Sequence, residues 1–239
     1  MANKKISKMI KEISVFFPFY NEEANIKKTV MKAKKVLEKV ASKWEILMIN
    51  DGSSDDTLKI ARQLAKSDKR LKVVNHKTNK GYGEALKSGF YNAKYTWVTT
   101  VDGDGQFDFS EITKLWKKTE RADIVIGYRI ERQDPFVRKV FGRGWTMLAN
   151  ILLGINVRDV DCAFKLVKRE VIENISHLES TRGGMISPEL LAKAKKQGYI
   201  IKQVGVHHYP RDVGHQTGAD IKVIYKSFKD LLKLWQQLR

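Results

Sequence analysis

The chain has 239 residues, 42% of them hydrophobic, which is enough to bury the core of one large domain, with or without an appendage. Its single cysteine, Cys162, excludes an internal disulfide and suits a reducing compartment. The net charge of +18 predicts a polyanionic partner, namely nucleic acid, anionic lipid or a phosphorylated substrate, unless it reflects a basic solvated surface.

Strands and helices alternate through the first half of the chain. Runs of β-branched and aromatic residues favour strands, and apolar residues three or four apart favour helices. The predicted order is strand 13–17, helix 22–41, strand 44–50, helix 54–66, strand 71–76, helix 83–93, strand 95–102 and strand 123–128. This alternation predicts an α/β fold with a mostly parallel central sheet flanked by helices on both faces.

Polar segments follow the first four predicted strands. They are residues 18–22, residues 51–54, residues 79–83 and the pair Asp102 and Asp104. In open parallel sheets, ligands bind outside the carboxyl ends of the strands. We therefore expect these four segments to meet at one edge of the sheet.

Asp102 and Asp104 are separated by one glycine at the end of an apolar run. If the strand continues through them, both carboxylates leave the same face and repel each other unless a cation lies between them. Carboxylate oxygens favour Mg²⁺ or Mn²⁺, and Gln106 adds a neutral oxygen. The alternative is a polar Asp-Gly turn.

Asp51 ends a second apolar run, where a carboxylate can accept hydrogen bonds from the N–H groups of a nucleobase or can simply cap a turn. Gly81 and Gly83 either let the backbone approach a ligand or turn the chain. The segment around them, GYGEAL, lacks the third glycine of a dinucleotide-binding fingerprint.

The second half of the chain is less regular. Residues 129–160 are rich in arginine and become helical around 145–154, and residues 162–169 form a strand or an edge segment. A helix at 187–198, a strand at 199–209 and a long helix at 220–239 follow. We expect one domain over residues 1–217 and an amphipathic helical appendage over residues 218–239.

The last helix carries apolar residues at helical spacing, with lysines between them. This pattern fits core packing, a subunit interface or a helix lying on an anionic membrane. No apolar run approaches the roughly 20 residues that a spanning helix needs, and the N-terminus lacks a signal-peptide core, so we expect a cytoplasmic protein.

Five segments, in order, resemble family 2 glycosyltransferases, and most closely the dolichyl- and polyprenyl-phosphate sugar synthases. They are FPFYNEEANI, INDGSSDDT, NKGYGEALKSGF, VDGDGQFD and DCAFKLVKRE, within residues 13–215. The resemblance implies a GT-A fold, a nucleoside diphosphate sugar donor, a divalent metal and inversion at the sugar carbon.

The resemblance also implies roles for individual residues. Asp102, Asp104, Arg129 and Asp161 would be catalytic, and the metal would lie on Asp104 and Gln106 with Asp102. The residues implied for nucleotide-sugar binding are Pro18, Tyr20, Asn21, Glu22, Asp51, Gly81 and Asp102. Those implied for the acceptor phosphate are Arg129, Arg138, Arg143, Lys165 and Arg211. Ala163 and Lys165 replace the family's usual glycine and arginine, and lysine loses the bidentate geometry of arginine.

The sequence is therefore interpreted as an inverting, metal-dependent glycosyltransferase. It would move a hexose from a UDP- or GDP-sugar to a polyprenyl phosphate, either dolichyl or undecaprenyl, at the cytosolic face of a membrane. A lipid phosphate is already ionised and needs no general base. A rival enzyme would act on a saccharide hydroxyl in polysaccharide or glycolipid synthesis, with Asp161 or Glu189 as base.

Other partners follow from the same interpretation. A second copy of the chain or a membrane-anchor subunit is an expected alternative to direct membrane contact. A basic nucleic-acid-binding protein is the rival of another class. It is disfavoured because the acidic segments converge where a phosphate backbone would have to lie.

Overall fold

The computed structural model describes residues 9–130, 136–181, 183–210 and 221–238, and among these it describes only the backbone of 136–138 and 221–226. The strands are β1 Ile10–Phe19, β2 Ala41–Asp51, β3 Leu71–His76, β4 Trp97–Thr100, β5 Ile124–Ile130, β6 Lys165–Lys168 and β7 Ile201–His207. The helices are α1 Ile26–Val40, α2 Thr57–Ser67, α3 Tyr82–Asn92, α4 Ile112–Trp116, α5 Phe136–Leu153, α6 Arg169–Asn174, α7 Gly183–Lys196 and α8 Ile221–Leu238. Short 3₁₀ helices flank α4 at Phe109–Glu111 and Thr119–Arg121.

The strands of the described residues form one sheet in the order β3-β2-β1-β4-β6-β5-β7. The strands β1 to β4 are parallel, with Val15 opposite Ile46 on one side and Thr99 on the other. β6 runs antiparallel to both of its neighbours, β4 and β5, while β7 is parallel to β5. The segment predicted at 162–169 as a strand or edge is thus a short interior strand.

Apolar side chains fill both faces of the sheet, as expected for parallel strands covered by helices. Along β1, Val15 and Phe17 pack with α1, whereas Phe16 packs on the opposite face with α3. Gly89 of α3 packs directly on Phe16, and a Cβ at this position would lie 2.2 Å from the Phe16 ring. The helices therefore approach the sheet closely from both sides.

The fourth strand is shorter than predicted. β4 ends at Thr100, and residues 101–106, here called the acidic turn, leave the sheet before Asp102. Gly105 in this turn has a φ of +79°, a conformation that favours glycine. The strand predicted to continue to residue 102 thus ends two residues earlier, so strand alternation does not apply to Asp102 and Asp104, which both lie in the acidic turn.

The C-terminal helix packs against the domain. Leu231 and Leu234 of α8 are buried in the same cluster as residues of α5 and α7. Phe228 and Leu232, one turn apart, are 40% and 49% exposed. The proposed boundary between residues 217 and 218 lies outside the described residues. Across the described part of the chain, none of the helices is both long enough and apolar enough to cross a membrane.

Candidate active site

The loops that follow β1 and β2 are tied to each other. Asn21, with a φ of +54°, accepts a hydrogen bond from the Ser54 backbone N–H at 2.9 Å and donates its own N–H to Ser53 Oγ at 3.0 Å. Glu23 accepts from the Asp56 backbone N–H at 2.8 Å. Asn21 thus supports the loop through its backbone and its side chain.

The other residues implied for the nucleoside differ in exposure. Pro18 is buried and Glu22 is 9% exposed, whereas Tyr20 is 48% exposed at the same loop. The Glu22 carboxylate accepts from Asn25 Nδ2 at 2.7 Å, and the Glu22 N–H donates to Thr57 Oγ1 at 2.8 Å. Tyr20 therefore offers an open aromatic surface, and Glu22 shapes the loop beneath it. Their roles toward a donor stay predictions.

Asp51 organises the next loop. Its carboxylate accepts from the backbone N–H groups of Lys80 and Gly81, each at 2.9 Å, and lies 2.6 Å from His76 Nδ1. His76 Nε2 lies 2.8 Å from Ser88 Oγ on α3. Gly81 has a φ of +94°, which explains the glycine. Both oxygens of Asp51 thus hold the loop between β3 and α3. If Asp51 also contacts a nucleobase, it would do so while keeping its hydrogen bonds to Lys80 and Gly81.

The acidic turn lies at the same edge of the sheet. Tyr82 Oη donates to Asp102 Oδ1 at 2.5 Å, and the Gln106 backbone N–H donates to Asp104 Oδ1 at 3.1 Å. Gln106 is 7% exposed, and its Nε2 donates to the Tyr209 carbonyl at 2.9 Å. Both carboxylates and the glutamine side chain are therefore oriented by hydrogen bonds.

The donor set of this turn suits a hard divalent cation. Mg²⁺ and Mn²⁺ prefer carboxylate oxygens, and Mg²⁺ commonly takes one or two carboxylates together with waters and substrate phosphates. Among the described residues, no group of three or more His, Cys, Asp and Glu side chains could hold a metal. Asp102 and Asp104 fit an ion that completes its coordination with water and a diphosphate.

A buried charge cluster lies behind the acidic turn. Arg129 donates to both oxygens of Asp159, from Nε at 2.7 Å and from Nη2 at 2.8 Å, and this pairing keeps the pKa of Arg129 above its ordinary value despite burial. Lys165 is 2% exposed and donates to the Cys162 carbonyl. Burial lowers the pKa of Lys165 and raises the pKa of the Cys162 thiol to about 12.

Asp161 belongs to the same cluster. Burial, together with the charge of Asp159, raises the pKa of Asp161 to about 6, and the charges of Arg129 and Lys165 oppose this rise. Asp161 Oδ1 and Trp145 Nε1 are both buried without a well-formed hydrogen bond among the described residues, and the nearby Trp145 N–H opposes the rise in the pKa of Asp161. A carboxyl with such a pKa exchanges protons near neutrality, which suits acid–base chemistry.

The five cations implied for an acceptor phosphate do not share one environment. Arg129 and Lys165 belong to the buried cluster, whereas Arg143 is exposed on α5. The Arg138 side chain and the whole of Arg211 lie outside the described residues. The structure therefore brings Arg129, Asp161 and Lys165 together.

Glu189 is a structural residue. It is 1% exposed, it accepts from the backbone N–H groups of Glu179 and Ser180 at 2.8 Å each, and it lies 2.6 Å from Lys193 Nζ. Burial alone would raise the pKa of Glu189, but these hydrogen bonds lower it below its ordinary value. Its proposed role as a general base is therefore a poor fit.

Three residues of this site were not anticipated from the sequence. Tyr82 lies between Gly81 and Gly83. Two glycines on either side of one residue indicate that the backbone there approaches another segment closely, and this pattern could have pointed to Tyr82. Asp159 stands two residues before Asp161, but its pairing with Arg129 crosses 30 positions of sequence. His76 ends an ordinary strand and gives no local signal.

Comparison with known proteins adds family and fold. A family model described as "Glycosyl transferase family 2" matches residues 14–176. The chain is 30% identical over 213 residues to a dolichyl-phosphate beta-glucosyltransferase, ALG5D, of Trichomonas vaginalis, covering 81% of this chain and 64% of that protein. It is 28% identical over 168 residues to a dodecaprenyl-phosphate galacturonate synthase of Rhizobium johnstonii, covering 69% of this chain and 50% of that protein. The chain thus spans less than two thirds of the length of either relative.

Solved structures share the fold. Glucosyl-3-phosphoglycerate synthase from Mycobacterium tuberculosis, in complex with Mn²⁺, uridine diphosphate and phosphoglyceric acid, superposes with a TM-score of 0.71 at 17% identity. The match covers 95% of this chain and 78% of that one. The expected fold class, a GT-A fold with a mostly parallel sheet, flanking helices and a C-terminal helix, is confirmed.

Proposed function

Because the chain belongs to glycosyl transferase family 2, we propose that it transfers a hexose from a UDP- or GDP-sugar to a polyprenyl phosphate with inversion at the sugar carbon. The observation that carries this proposal is the position of the acidic turn. It lies at the same sheet edge as the Asp51-anchored loop and adjoins the buried cluster that contains Arg129 and Lys165. Carboxylates for a metal–diphosphate and cations for an anionic acceptor are thus adjacent.

The donor would lie across the carboxyl ends of the first strands. Its contacts would come from the loops of β1, β2 and β3, with the open ring of Tyr20 and the backbone around Gly81 as surfaces. The full proposed set is Pro18, Tyr20, Asn21, Glu22, Asp51, Gly81 and Asp102. Asp102 and Asp104, with Gln106 beside them, would hold Mg²⁺ or Mn²⁺, and such an ion supplies charge stabilisation for a leaving diphosphate.

The acceptor phosphate supplies its own nucleophile. One of its ionised oxygens forms the new bond to the anomeric carbon as the bond from that carbon to the diphosphate oxygen breaks. The protein then has to attract and orient an anion, a task for cations such as Arg129 and Lys165. Burial strengthens the field of Lys165 because few waters screen it, whereas Arg129 is already paired with Asp159 and would act together with that carboxylate. Arg138, Arg143 and Arg211 are proposed as further acceptor cations.

A polyprenyl acceptor places the reaction at a membrane surface. On α5, the side chains of Val140, Met147 and Ile151 recur on one helix face and are 50%, 65% and 67% exposed. On α8, Phe228 and Leu232 are exposed beside Lys229 and Lys233. Apolar side chains next to lysines suit contact with anionic lipid, here proposed at the cytosolic face. A second copy of the chain or an anchoring subunit is the alternative occupant.

One observation favours a second candidate acceptor. Transfer to a saccharide hydroxyl requires a group that removes a proton, and Asp161, with a pKa of about 6, has the proton affinity for that role. Comparing purified polyprenyl phosphate with oligosaccharides as acceptors, using the same donor, distinguishes the two reactions.

Calorimetry with Asp104→Asn tests the proposal. The wild-type chain should bind UDP or GDP at least tenfold more tightly with Mn²⁺ than with EDTA, and it should transfer from the matching sugar nucleotide to polyprenyl phosphate. In Asp104→Asn the gain in nucleotide affinity on adding Mn²⁺ should be lost, since the substitution removes one of two carboxylates. Asp108→Asn is the matched control, because Asp108 is exposed and its carboxylate caps a short 3₁₀ helix by accepting from the Ser110 N–H at 2.9 Å. Equal affinities with Mn²⁺ and with EDTA in the wild type would reject the metal role.

A further inference from the structure

Tyr82 joins the acidic turn to the rest of the site. It is the first residue of α3, it is 37% exposed, and its hydroxyl donates to Asp102 Oδ1 at 2.5 Å. A hydrogen bond from a neutral donor to a carboxylate is among the stronger ones in proteins. The bond holds a carboxylate of the acidic turn from a different segment of the chain.

The backbone on both sides of Tyr82 is fixed. The Gly81 N–H donates to Asp51 Oδ2 at 2.9 Å, and the Gly83 N–H donates to the Thr181 carbonyl at 3.1 Å. A Cβ at position 83 would lie 2.4 Å from that carbonyl oxygen, so only glycine permits this approach. Tyr82 is therefore presented from a rigid point rather than from a loose loop.

The Tyr82 ring is confined as well. A Cβ at Gly183, at the start of α7, would lie 2.9 Å from Tyr82 Cδ1, so the ring packs directly on that backbone. The ring also lines a small cavity together with Thr100 and Lys165. Its surroundings leave the hydroxyl with little freedom to turn away from Asp102.

We propose that Tyr82 is a positioning residue for the acidic turn, one that orients Asp102 toward the divalent cation and the donor diphosphate. The inference rests on the proposed function and deepens it. Hydrogen bonds to ligating carboxylates fix their orientation, and removing such partners typically costs about 10- to 100-fold in metal affinity or activity. Asp104 receives the equivalent support from the Gln106 backbone N–H, so the two carboxylates are oriented from two different segments.

Titration of Mn²⁺ into the full chain saturated with UDP or GDP tests this role. Tyr82→Phe removes only the hydroxyl and keeps the ring against Gly183. We expect it to weaken Mn²⁺ binding by about 10- to 100-fold, while nucleotide affinity in EDTA changes less than twofold. Tyr91→Phe is the matched control, because Tyr91 lies on the same helix, is 41% exposed and accepts from the Leu178 N–H at 3.0 Å.

The possible outcomes separate the two proposals. Wild-type Mn²⁺ affinity in Tyr82→Phe, or a lower melting temperature with unchanged Mn²⁺ affinity, rejects the positioning role and leaves the proposed function intact. Tighter Mn²⁺ binding in Tyr82→Phe would mean that the hydroxyl competes with the cation, and this also rejects the role. If the wild type binds neither nucleotide with Mn²⁺, the proposed function fails and the role of Tyr82 fails with it.

Discussion

Asp161 shows how burial beside a like charge changes the chemistry of one residue in this site. Its neighbour Asp159 shares both oxygens with Arg129, whereas Asp161 Oδ1 is buried without a well-formed hydrogen bond among the described residues. The pKa of Asp161 accordingly rises to about 6, with burial as the main cause. A carboxylate kept in this state destabilises the folded chain at neutral pH, which is common where a site is arranged for reactivity.

Replacing Asp161 by asparagine should change how stability depends on pH. Because burial raises the pKa to about 6, the folded state binds this proton more tightly than the unfolded state does. The contribution to stability is therefore present below about pH 4 and is lost as the pH rises through 6. Asparagine does not ionise. The unfolding free energy of Asp161→Asn should therefore rise by about 2 kcal/mol relative to that of the wild type between pH 4 and pH 8. Urea unfolding across that range measures the difference, and parallel curves would contradict the prediction.

Helix α7 connects the core to the loops of the site. Glu189 holds the backbone N–H groups of Glu179 and Ser180, and Lys193 donates to the His177 carbonyl at 2.6 Å. The carbonyl of Thr181, one residue further along, accepts from Gly83 beside Tyr82. A buried ion pair on one helix thus supports the loop that clamps the start of α3.

Breaking this pair should cost far more than breaking a surface pair. Glu189→Gln leaves Lys193 buried without its counter-charge, for which we expect a loss of about 3 kcal/mol in unfolding free energy. Glu173→Gln is the control, since Glu173 forms an i,i+4 pair with Arg169 and its side chain is 54% exposed. Exposed pairs of this kind contribute about 0.3–0.5 kcal/mol. Urea unfolding measures both losses. Equal losses of unfolding free energy in the two variants would show that the network around Glu189 stabilises the fold no more than a surface pair does.

Hydrogen exchange gives a second measurement on the same variant. In Glu189→Gln the amides of Glu179 and Ser180 should exchange faster than in the wild type, because their acceptor loses its charge. The pH dependence has a definite sign as well. Since the pKa of Glu189 is lowered, its stabilisation is present above the ordinary carboxyl range and is lost as the pH falls below it.

The repeating strand–helix units could be read from the sequence because each strand is a short apolar run with its own boundary. Strand β3 was predicted with its observed bounds, Leu71–His76, because charged residues precede it and polar residues follow it. Strand β6 was harder to assign, because it has four residues and includes the buried Lys165. Its interior position depends on pairing with β4 and β5, which local patterns do not encode.

The site could be read only in part, for a similar reason. Asp102 and Asp104 were identified by type and spacing, but strand alternation does not apply to them because β4 ends at Thr100. The hydroxyl of Tyr82 meets Asp102 across 20 positions of sequence. Asp51 was noticed as a carboxylate at a strand end, whereas its bonds to Lys80 and Gly81 depend on how the next loop folds back. Tertiary contacts therefore decide what each polar residue is available to do.

On the scale of the whole molecule, exposed apolar side chains are concentrated on two helices that pack together. α5 and α8 are in contact through the rings of Trp145 and Phe228, whose centroids lie 5.6 Å apart. Met147 and Ile151 of α5 are the most exposed large hydrophobic side chains described, at 65% and 67%. This apolar surface, with Lys229 and Lys233 exposed on α8, is the one that we propose for contact with an anionic bilayer.

The double variant Met147→Gln with Ile151→Gln tests that surface. Burying each side chain in lipid stabilises binding by roughly 1.5–3 kcal/mol, so binding of the full chain to anionic vesicles should fall at least tenfold. Unfolding stability should change little, because both side chains are exposed. Met31→Gln, at a 44% exposed methionine on α1, is the control and should bind like the wild type.

Co-sedimentation with vesicles at two salt concentrations provides the measurement. Added salt should weaken binding through the lysines and leave the effect of the two apolar substitutions in place. A wild-type chain that stays in the supernatant at low salt would exclude direct membrane contact. The exposed faces of α5 and α8 would then have to be covered by another protein.

The interior position of β6 has a consequence for the order in which the chain can fold. β4 and β5 are synthesised 24 or more residues apart and do not pair with each other; both bond to β6, which follows them in the chain. While the ribosome adds residues 131–164, one edge of β4 and both edges of β5 therefore lack their final partners, and unpaired edges invite association with other chains. Lys165 and Asp161 arrive with the segment that closes this gap. Closure of the gap between β4 and β5 and completion of the charge cluster thus occur together, whereas the outer edge of β5 stays unpaired until β7 is added.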